Sequence, residues 1–322
     1  RTFSVDENYL FTVAQSVENT SSADVTLYPY GLIARTGVPE TTGIWILHEG
    51  LKGYIGEEGL QEITYDDVAE SRTITPAKAA TGWLGFADKY WATAMVPAQG
   101  QEFQSRFTYR DDGGVRYQAD FLSDPITIQP GATQSTEQLL FAGAKEVPVI
   151  DSYQETYNIT HFDLMIDWGW FFFLTKPMFY LLDYLYKMFG NFGISILLTT
   201  VIVKLIFFPL ANKSYKSMAT MKKLNPKMVE LRERYKDDKQ KLQQEMAKLW
   251  REEGISPTGM LGCLPMFLQT PIWIALYAML YYAIELRHEP AFWGFFQLFG
   301  NWPFLADLSA ADHCFWEFDE PF

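Results

Sequence analysis

NFGISILLTTVIVKLIFFPL, residues 191–210, decides how the rest of the chain has to be read, because it carries a single charge, Lys204. At 1.5 Å of rise per residue, about 20 apolar residues cross the hydrocarbon core of a bilayer. A second run, GMLGCLPMFLQTPIWIALYAMLYYAIEL, has no charge between Gly259 and Ala283 and is long enough to cross with tilt despite Pro265 and Pro271. The sequence therefore predicts two transmembrane helices, 191–210 and 258–286.

The segment between them, 211–257, sets the orientation. Ala211 to Ser256 holds 12 of the chain's 26 Lys+Arg and 7 of its 39 Asp+Glu, so a basic stretch sits inside a chain whose formal net charge is -13. The positive-inside rule places it in the cytoplasm and residues 1–190 outside. Met218, Met221, Leu224, Met228, Leu231 and Tyr235 follow coiled-coil spacing, and Leu242, Met246 and Leu249 repeat it after the polar turn Lys236-Asp237-Asp238. This pattern predicts an antiparallel helical hairpin. Asn225-Pro226 is expected to kink or restart its first arm, and Gly254 to stop the second.

Upstream, residues 1–165 read as a β-sandwich on the outer side. Alternating stretches such as TFSVDENYLFTVAQSVEN and ITIQPGATQSTEQLLFAG are separated by Gly, Pro, Asn and Asp clusters. QEFQSRFTYR-DDGG-VRYQADFL predicts a hairpin in whose turn Asp112, Gly113 and Gly114 take positive φ. GEEGLQEITYDDVAESRTITP is acidic and turn-rich and reads as a long surface loop. Residues 166–190 are apolar, but Lys176, Asp183 and Lys187 would each cost about 2.5–3.5 kcal/mol at a bilayer centre. Lys176, Tyr180, Asp183, Tyr184 and Lys187 share one helical face, and Phe179, Leu182, Leu185 and Phe189 another. An amphipathic helix in the outer interface is expected, with Pro177 in its first turn; an amphipathic helix of a soluble domain shows the same pattern. The segment 287–322 is aromatic and broken by Gly and Pro, which suits the outer interface.

Composition removes several function classes. The chain has 322 residues and two cysteines, Cys263 and Cys314, too few for a disulfide framework or a paired-cysteine metal site. No nucleotide-binding loop or nucleophile triad is legible, and His48, His161, His288 and His313 lie in unrelated contexts. No cofactor and no catalysis are expected. RTFSVDENYL is not a signal peptide, yet this end is read as external, so a preceding segment is expected to have exported it. A membrane-anchored periplasmic ligand-binding sensor is the competing class. The basic hairpin also admits a reading as a nucleic-acid or anionic-lipid patch.

Taken with their order, TGWLGFADKYWATAMVP (81–97), residues 167–210, the hairpin words NKSYKSMATMKKLNPKM and RERYKDDKQKLQQEM, LPMFLQTPIWIALY (264–277), IELR and DLSA resemble the YidC-type membrane protein insertases of Gram-negative bacteria. The resemblance implies a periplasmic sandwich similar to mutarotase-like folds, which adds a mutarotase-like enzyme as a third class, and a location in the bacterial inner membrane. It also implies insertion of nascent membrane proteins, alone or beside a Sec translocon, with the mobile hairpin recruiting substrate, ribosome or targeting factors. Membrane lipids are partners, and no nucleic acid is a substrate. The family has a core of five transmembrane helices, of which this chain shows the first two, and roughly the later half of the external domain; the chain resembles a fragment. Where the family usually has arginine in the first core helix, Lys204 stands.

Lys204 has two readings on residues alone. A lysine inside a span is a functional hypothesis, yet it lies only about 9 Å from the inner end of its helix, near enough to snorkel. Thr200 is one turn away, with Leu197 and Gly193 continuing the line. Gln269 and Thr270 supply polar groups in the second span, or only helix–helix contacts. The resemblance implies that the charge lies in a water-filled groove, open to cytoplasm and lipid, that draws in a polypeptide, with Lys204, Thr200, Gln269 and Thr270 as groove residues.

Overall fold

The computed structural model describes residues 1–41, 47–236, 238–252, 264–293 and 306–309. These form two compact units: Arg1–Gly169 with Tyr281–Arg287, and Trp170–Leu280 with the residues from His288 onward. The first is sheet-rich and the second helical.

The strands of the first unit are β1 Thr2–Val5, β2 Leu10–Glu18, β3 Val25–Leu27, β4 Tyr30–Thr36, β5 Gly50–Ile55, β6 Gly59–Thr64, β7 Thr73–Ile74, β8 Gly82–Ala87, β9 Trp91–Val96, β10 Phe103–Arg110, β11 Arg116–Ser123, β12 Ile126–Ile128 and β13 Thr133–Ala144. They make a seven-stranded sheet in the order β1-β2-β13-β9-β8-β5-β6, a four-stranded sheet β4-β11-β10-β7 and a two-stranded ribbon β12-β3. The predicted hairpin is β10–β11, paired antiparallel from Arg110↔Arg116 outward, with Gly113 at φ 127° and Gly114 at φ 115° in its turn; Asp112, also expected at positive φ, is not, because the two glycines alone supply the left-handed conformation.

Leu51, Ile55, Leu84, Phe86 and Met95 of the larger sheet share one core with Phe103, Phe107, Tyr117, Ala119 and Phe121 of the smaller. Burying one such side chain contributes about 1.5–3 kcal/mol. The opposite face of the larger sheet is covered too. Trp83 and Phe141 meet Phe162 edge-on at 5.7 and 5.9 Å, and Phe141 also meets Tyr153. Tyr153 belongs to α2, Val147–Thr156. Strand β8 is accordingly buried along its whole length, and it approaches β9 so closely that a Cβ on Gly85 would lie 1.8 Å from the Thr93 carbonyl oxygen.

The acidic stretch expected to be a surface loop is ordered as β6, α1 (Tyr65–Ser71) and β7. Its charges face outward while Ile63, Tyr65 and Val68 enter the core. A capping box starts the helix: the Thr64 hydroxyl accepts from the Asp67 amide at 3.2 Å and the Asp67 carboxylate accepts from the Thr64 amide at 3.1 Å. Acidity was mistaken for irregularity.

In the second unit, α3 spans Phe172–Phe189 and packs against α4, Phe192–Arg234. Met178, Phe179, Leu182 and Leu185 are its buried face, while Lys187 and Asp183 pair at 2.6 Å on the other. Pro177 lies in the second turn rather than the first, since the helix already begins at Phe172. Gly190, at φ 64°, stops α3, and Asn191 immediately caps α4 by accepting from the Ile194 amide at 3.1 Å.

Helix α4 has 43 residues, a length of about 65 Å, roughly twice a hydrocarbon core. Its first part, Phe192–Asn212, has a mean hydropathy of 2.3 and is the one stretch among the described residues long and apolar enough to cross a membrane. Leu197, Val201, Leu205, Ile206 and Phe208 lie exposed along it. Neither Pro209 nor Pro226 ends the helix, although each lacks the N–H that would serve the preceding turn. Asn225-Pro226 therefore starts no new helix. After a turn come α5, Lys239–Glu252, and then α6, Leu264–Tyr282. Leu224 is buried, and Met228, Leu231, Tyr235, Leu242, Met246 and Leu249 are half-buried. Asp237, Gly254, the start of the second expected span with Cys263, His313, Cys314 and most of the aromatic segment 287–322 lie outside the described residues.

Candidate functional site

Three polar side chains descend one face of α4 at helical spacing. Asn191, Ser195 and Thr199 are all buried, as residues i, i+4 and i+8 must be when one stripe packs inward. The Ser195 hydroxyl donates to the Asn191 carbonyl at 2.8 Å. The Thr199 hydroxyl has no hydrogen-bond partner among the described residues. Thr200, one position on, spends its hydroxyl on the Ile196 carbonyl at 2.9 Å.

At the lower end of this stripe is a recess of about 20 Å³, lined by Met178 of α3, by Thr199, Thr200, Val203 and Lys204 of α4, and by Gln269, Ile272, Trp273 and Leu276 of α6. That volume admits a water molecule. Thr200, Lys204 and Gln269, separated by up to 69 positions, thus meet at one place. Thr270 is exposed and off the lining. The line drawn through Leu197 and Gly193 splits, because Leu197 is 53% exposed whereas Gly193 faces Ala291. Thr199 escaped sequence reasoning. Its signal was the Asn191, Ser195, Thr199 spacing, hidden in a run read for its apolar content.

A second polar cluster lies in the sheet unit. Asp167 accepts from Lys52 Nζ at 2.5 Å and from Lys145 Nζ at 2.8 Å, and Lys52 also reaches Glu62 at 3.0 Å. Lys52, Lys145 and Asp167 are all buried, whereas Glu62 is 42% exposed. Strand alternation explains the placement: Leu51 enters the inter-sheet core, so Lys52 must point to the other face. Burial alone would raise the Asp167 pKa, but the two ammonium groups outweigh it and hold the carboxyl below its ordinary range. Burial also opposes charge on Lys52, yet Asp167 and Glu62 raise its pKa. Lys145 is lowered, by burial that Asp167 offsets only in part and by repulsion from Lys52. His48, whose ring nitrogen lies 3.0 Å from the Leu51 carbonyl, is lowered by burial and by Lys52. The buried carboxylate and ammonium groups are matched to one another, as a structural cluster requires.

One constellation imitates a catalytic triad. His288 Nδ1 lies 2.7 Å from Asp307, and the Ser309 hydroxyl donates to the same carboxylate at 2.6 Å. Ser309 and then His288 hold Asp307 well below the usual carboxylate range. A nucleophile must donate to the imidazole; here serine and histidine share the carboxylate, which makes a loop clasp. No group of His, Cys, Asp and Glu among the described residues is arranged to hold a metal.

Comparison with known proteins matches residues 1–181 to the family model of the YidC periplasmic domain and residues 184–309 to that of the 60Kd inner membrane protein. The membrane protein insertase YidC of Sinorhizobium medicae is 50% identical over 312 residues, which are 97% of this chain and 50% of that protein. Its counterpart in Mesorhizobium japonicum is 53% identical over the same shares. The chain spans about half the length of these curated relatives. A crystal structure described as an active YidC insertase with the first transmembrane domain resolved gives a TM-score of 0.32 at 16% identity, covering 74% of this chain and 63% of that one.

Proposed function

The chain belongs to the YidC family of inner-membrane proteins, and from that premise we propose that it serves membrane protein insertion and folding, not catalysis. The sheet unit lies in the periplasm, α4 and α6 each cross the inner membrane, and the basic stretch of α4 with α5 forms a cytoplasmic hairpin. Nascent membrane proteins are the substrates. The Sec translocon, the ribosome and targeting factors are partners, the last two engaged through the hairpin. No cofactor or nucleotide is required.

One observation carries the reading: Lys204, Thr200 and Gln269 gather at a recess beside Phe192–Asn212, the stretch that is long and apolar enough to cross a membrane among the described residues. A polar site part-way through lipid lowers the cost of moving a hydrophilic flank across while its apolar segment enters the bilayer. Lys204 attracts acidic flanks; Thr200, Gln269 and, at the rim, Thr270 contact the passing chain.

Client charge tests the role of Lys204 in the full-length protein. Lys204→Met keeps the length and removes the charge. It is expected to slow insertion of acidic-flanked clients about tenfold, the factor equivalent to 1.4 kcal/mol, and to leave neutral-flanked clients unchanged. Lys204→Arg should be tolerated, because a guanidinium also brings positive charge to a carboxylate. Equal insertion of both client classes by Lys204→Met at normal expression would reduce Lys204 to a snorkelling residue. Photo-crosslinkers at Thr200 and Gln269 should capture nascent chains; absence of adducts at both sites would remove the recess from the pathway.

A further inference from the structure

Asn191 does more than start a helix. A helix cap needs only an acceptor, which Ser, Thr or Asp provides equally well. Asn191 is 2% exposed, and its amide bonds in both directions. Oδ1 accepts from the Ile194 amide at 3.1 Å and from the Phe292 amide at 3.2 Å, while Nδ2 donates to the Pro290 carbonyl at 3.2 Å. A carboxylate lacks the donor, and a serine is too short to reach both partners. Two residues on, a Cβ added to Gly193 would come within 3.0 Å of Ala291 Cβ, so α4 lies directly against the Pro290–Phe292 segment.

That segment is strained. His288, Phe292 and Trp293 have φ of 61°, 50° and 54°, a region that bulky residues occupy only when their surroundings hold them there. Asn191 holds it on one side. On the other, the His288 amide donates to Asp307 Oδ1 at 3.2 Å, and the Leu308 amide donates to the Glu289 carbonyl at 3.0 Å. Below Asn191, the buried Ser195 and Thr199 continue the packed face to the recess, about 12 Å away along the helix.

We propose that Asn191 is a positioning residue: by latching the outer end of α4 to the Pro290–Phe292 segment it is the group that keeps the recess shut on its outer side, the opening toward the inner side being what the family resemblance already implies. The inference rests on the proposed topology and groove. Its test uses the full-length protein with Cys263 and Cys314 replaced by serine and Thr200→Cys as reporter, and reads alkylation by a membrane-impermeant maleimide added to spheroplasts or to inverted vesicles. Asn191→Ser retains the cap and loses the bridge; Asn191→Ala loses both. Each is expected to raise labelling from outside about tenfold, as the loss of the two bridging hydrogen bonds would shift a closed population, with labelling from inside unchanged. Labelling of Asn191→Ser at the parent's rate overturns the latch and leaves a cap, whatever Asn191→Ala does. An equal rise from both sides also overturns it, because that is loss of packing. Client insertion by the parent, measured without the reporter cysteine, separates the two ideas. A parent that inserts nothing while Asn191→Ser opens the outer side refutes the function and keeps the latch.

Discussion

Polar groups in the two units are arranged in opposite ways: Lys52, Lys145 and Asp167 are buried together in the sheet unit, and Thr199 is buried beside the exposed Lys204 in the helical unit. In the sheet unit every buried charge meets its opposite within 3.0 Å. In the helical unit a buried hydroxyl has no partner among the described residues and a lysine stands exposed on an apolar helix. The first arrangement is complete and leaves nothing to offer a ligand. The second leaves hydrogen-bonding capacity open at a recess, which costs stability. What singles out the recess as the candidate site is the open Thr199 hydroxyl together with Thr200, Lys204 and Gln269, since Ser105 in the sheet unit also buries a hydroxyl with no partner among the described residues.

The largest expected effect tests the complete cluster. Asp167→Asn keeps the shape and strands Lys145 as an uncompensated buried charge, so urea denaturation of the purified chain should show a loss of about 3–5 kcal/mol. A loss below about 1 kcal/mol would mean that the lysines find other partners and that the contrast is overstated. The pH dependence has a definite sign. Because the folded Asp167 pKa is depressed, its contribution is fully present above the unfolded value of about 3.9 and is lost as pH falls toward the folded one. The stability gap between parent and Asp167→Asn should stay constant from pH 7 to about 5 and narrow below about 4; a gap already closing near pH 6 would contradict the depressed pKa.

Thr199→Val sharpens the other side of the comparison. Replacing an unpartnered buried hydroxyl by an isosteric methyl should stabilise the helical unit by about 1 kcal/mol, read as a rise in melting temperature in detergent. Under the proposed function the same variant should slow client insertion. A loss of stability would reveal a bound partner for the hydroxyl, and the recess would then resemble the ion cluster in being satisfied. The smallest effect is expected at Glu62→Gln. Glu62 is half-exposed and shares Lys52 with Asp167, so its loss should cost under about 1 kcal/mol by the same urea measurement. A cost equal to that of Asp167→Asn would show that the solvent-facing carboxylate, not the buried one, holds the cluster together.

Legibility in the sequence followed the range of the interaction. The β10–β11 hairpin could be read because its turn glycines and its alternating strands are neighbours, and its register then follows. The apolar character of 191–210 and the single charge at Lys204 were equally local. The stretch 56–76 was misread because negative charges on one face of β6 and α1 outnumber the apolar side chains on the other, although the Thr64–Asp67 capping box was there to be seen. At the site, Thr200, Lys204 and Gln269 were legible as polar residues in apolar runs. Thr199 was not, since adjacent threonines look alike until the helix is rotated against its neighbours.

The sequence by itself determined the order of the parts, the sheet-rich and helical halves, the apolar helix with its lysine and the basic stretch that follows. Each depends on composition or on a period of two or of three to four residues, which the chain carries locally. Only the tertiary structure decided which polar groups are paired. Lys52 and Asp167 stand 115 positions apart, and Asn191 and Phe292 stand 101 apart. The free energy of a buried charge or amide depends on what faces it across the fold, and no local pattern encodes that partner.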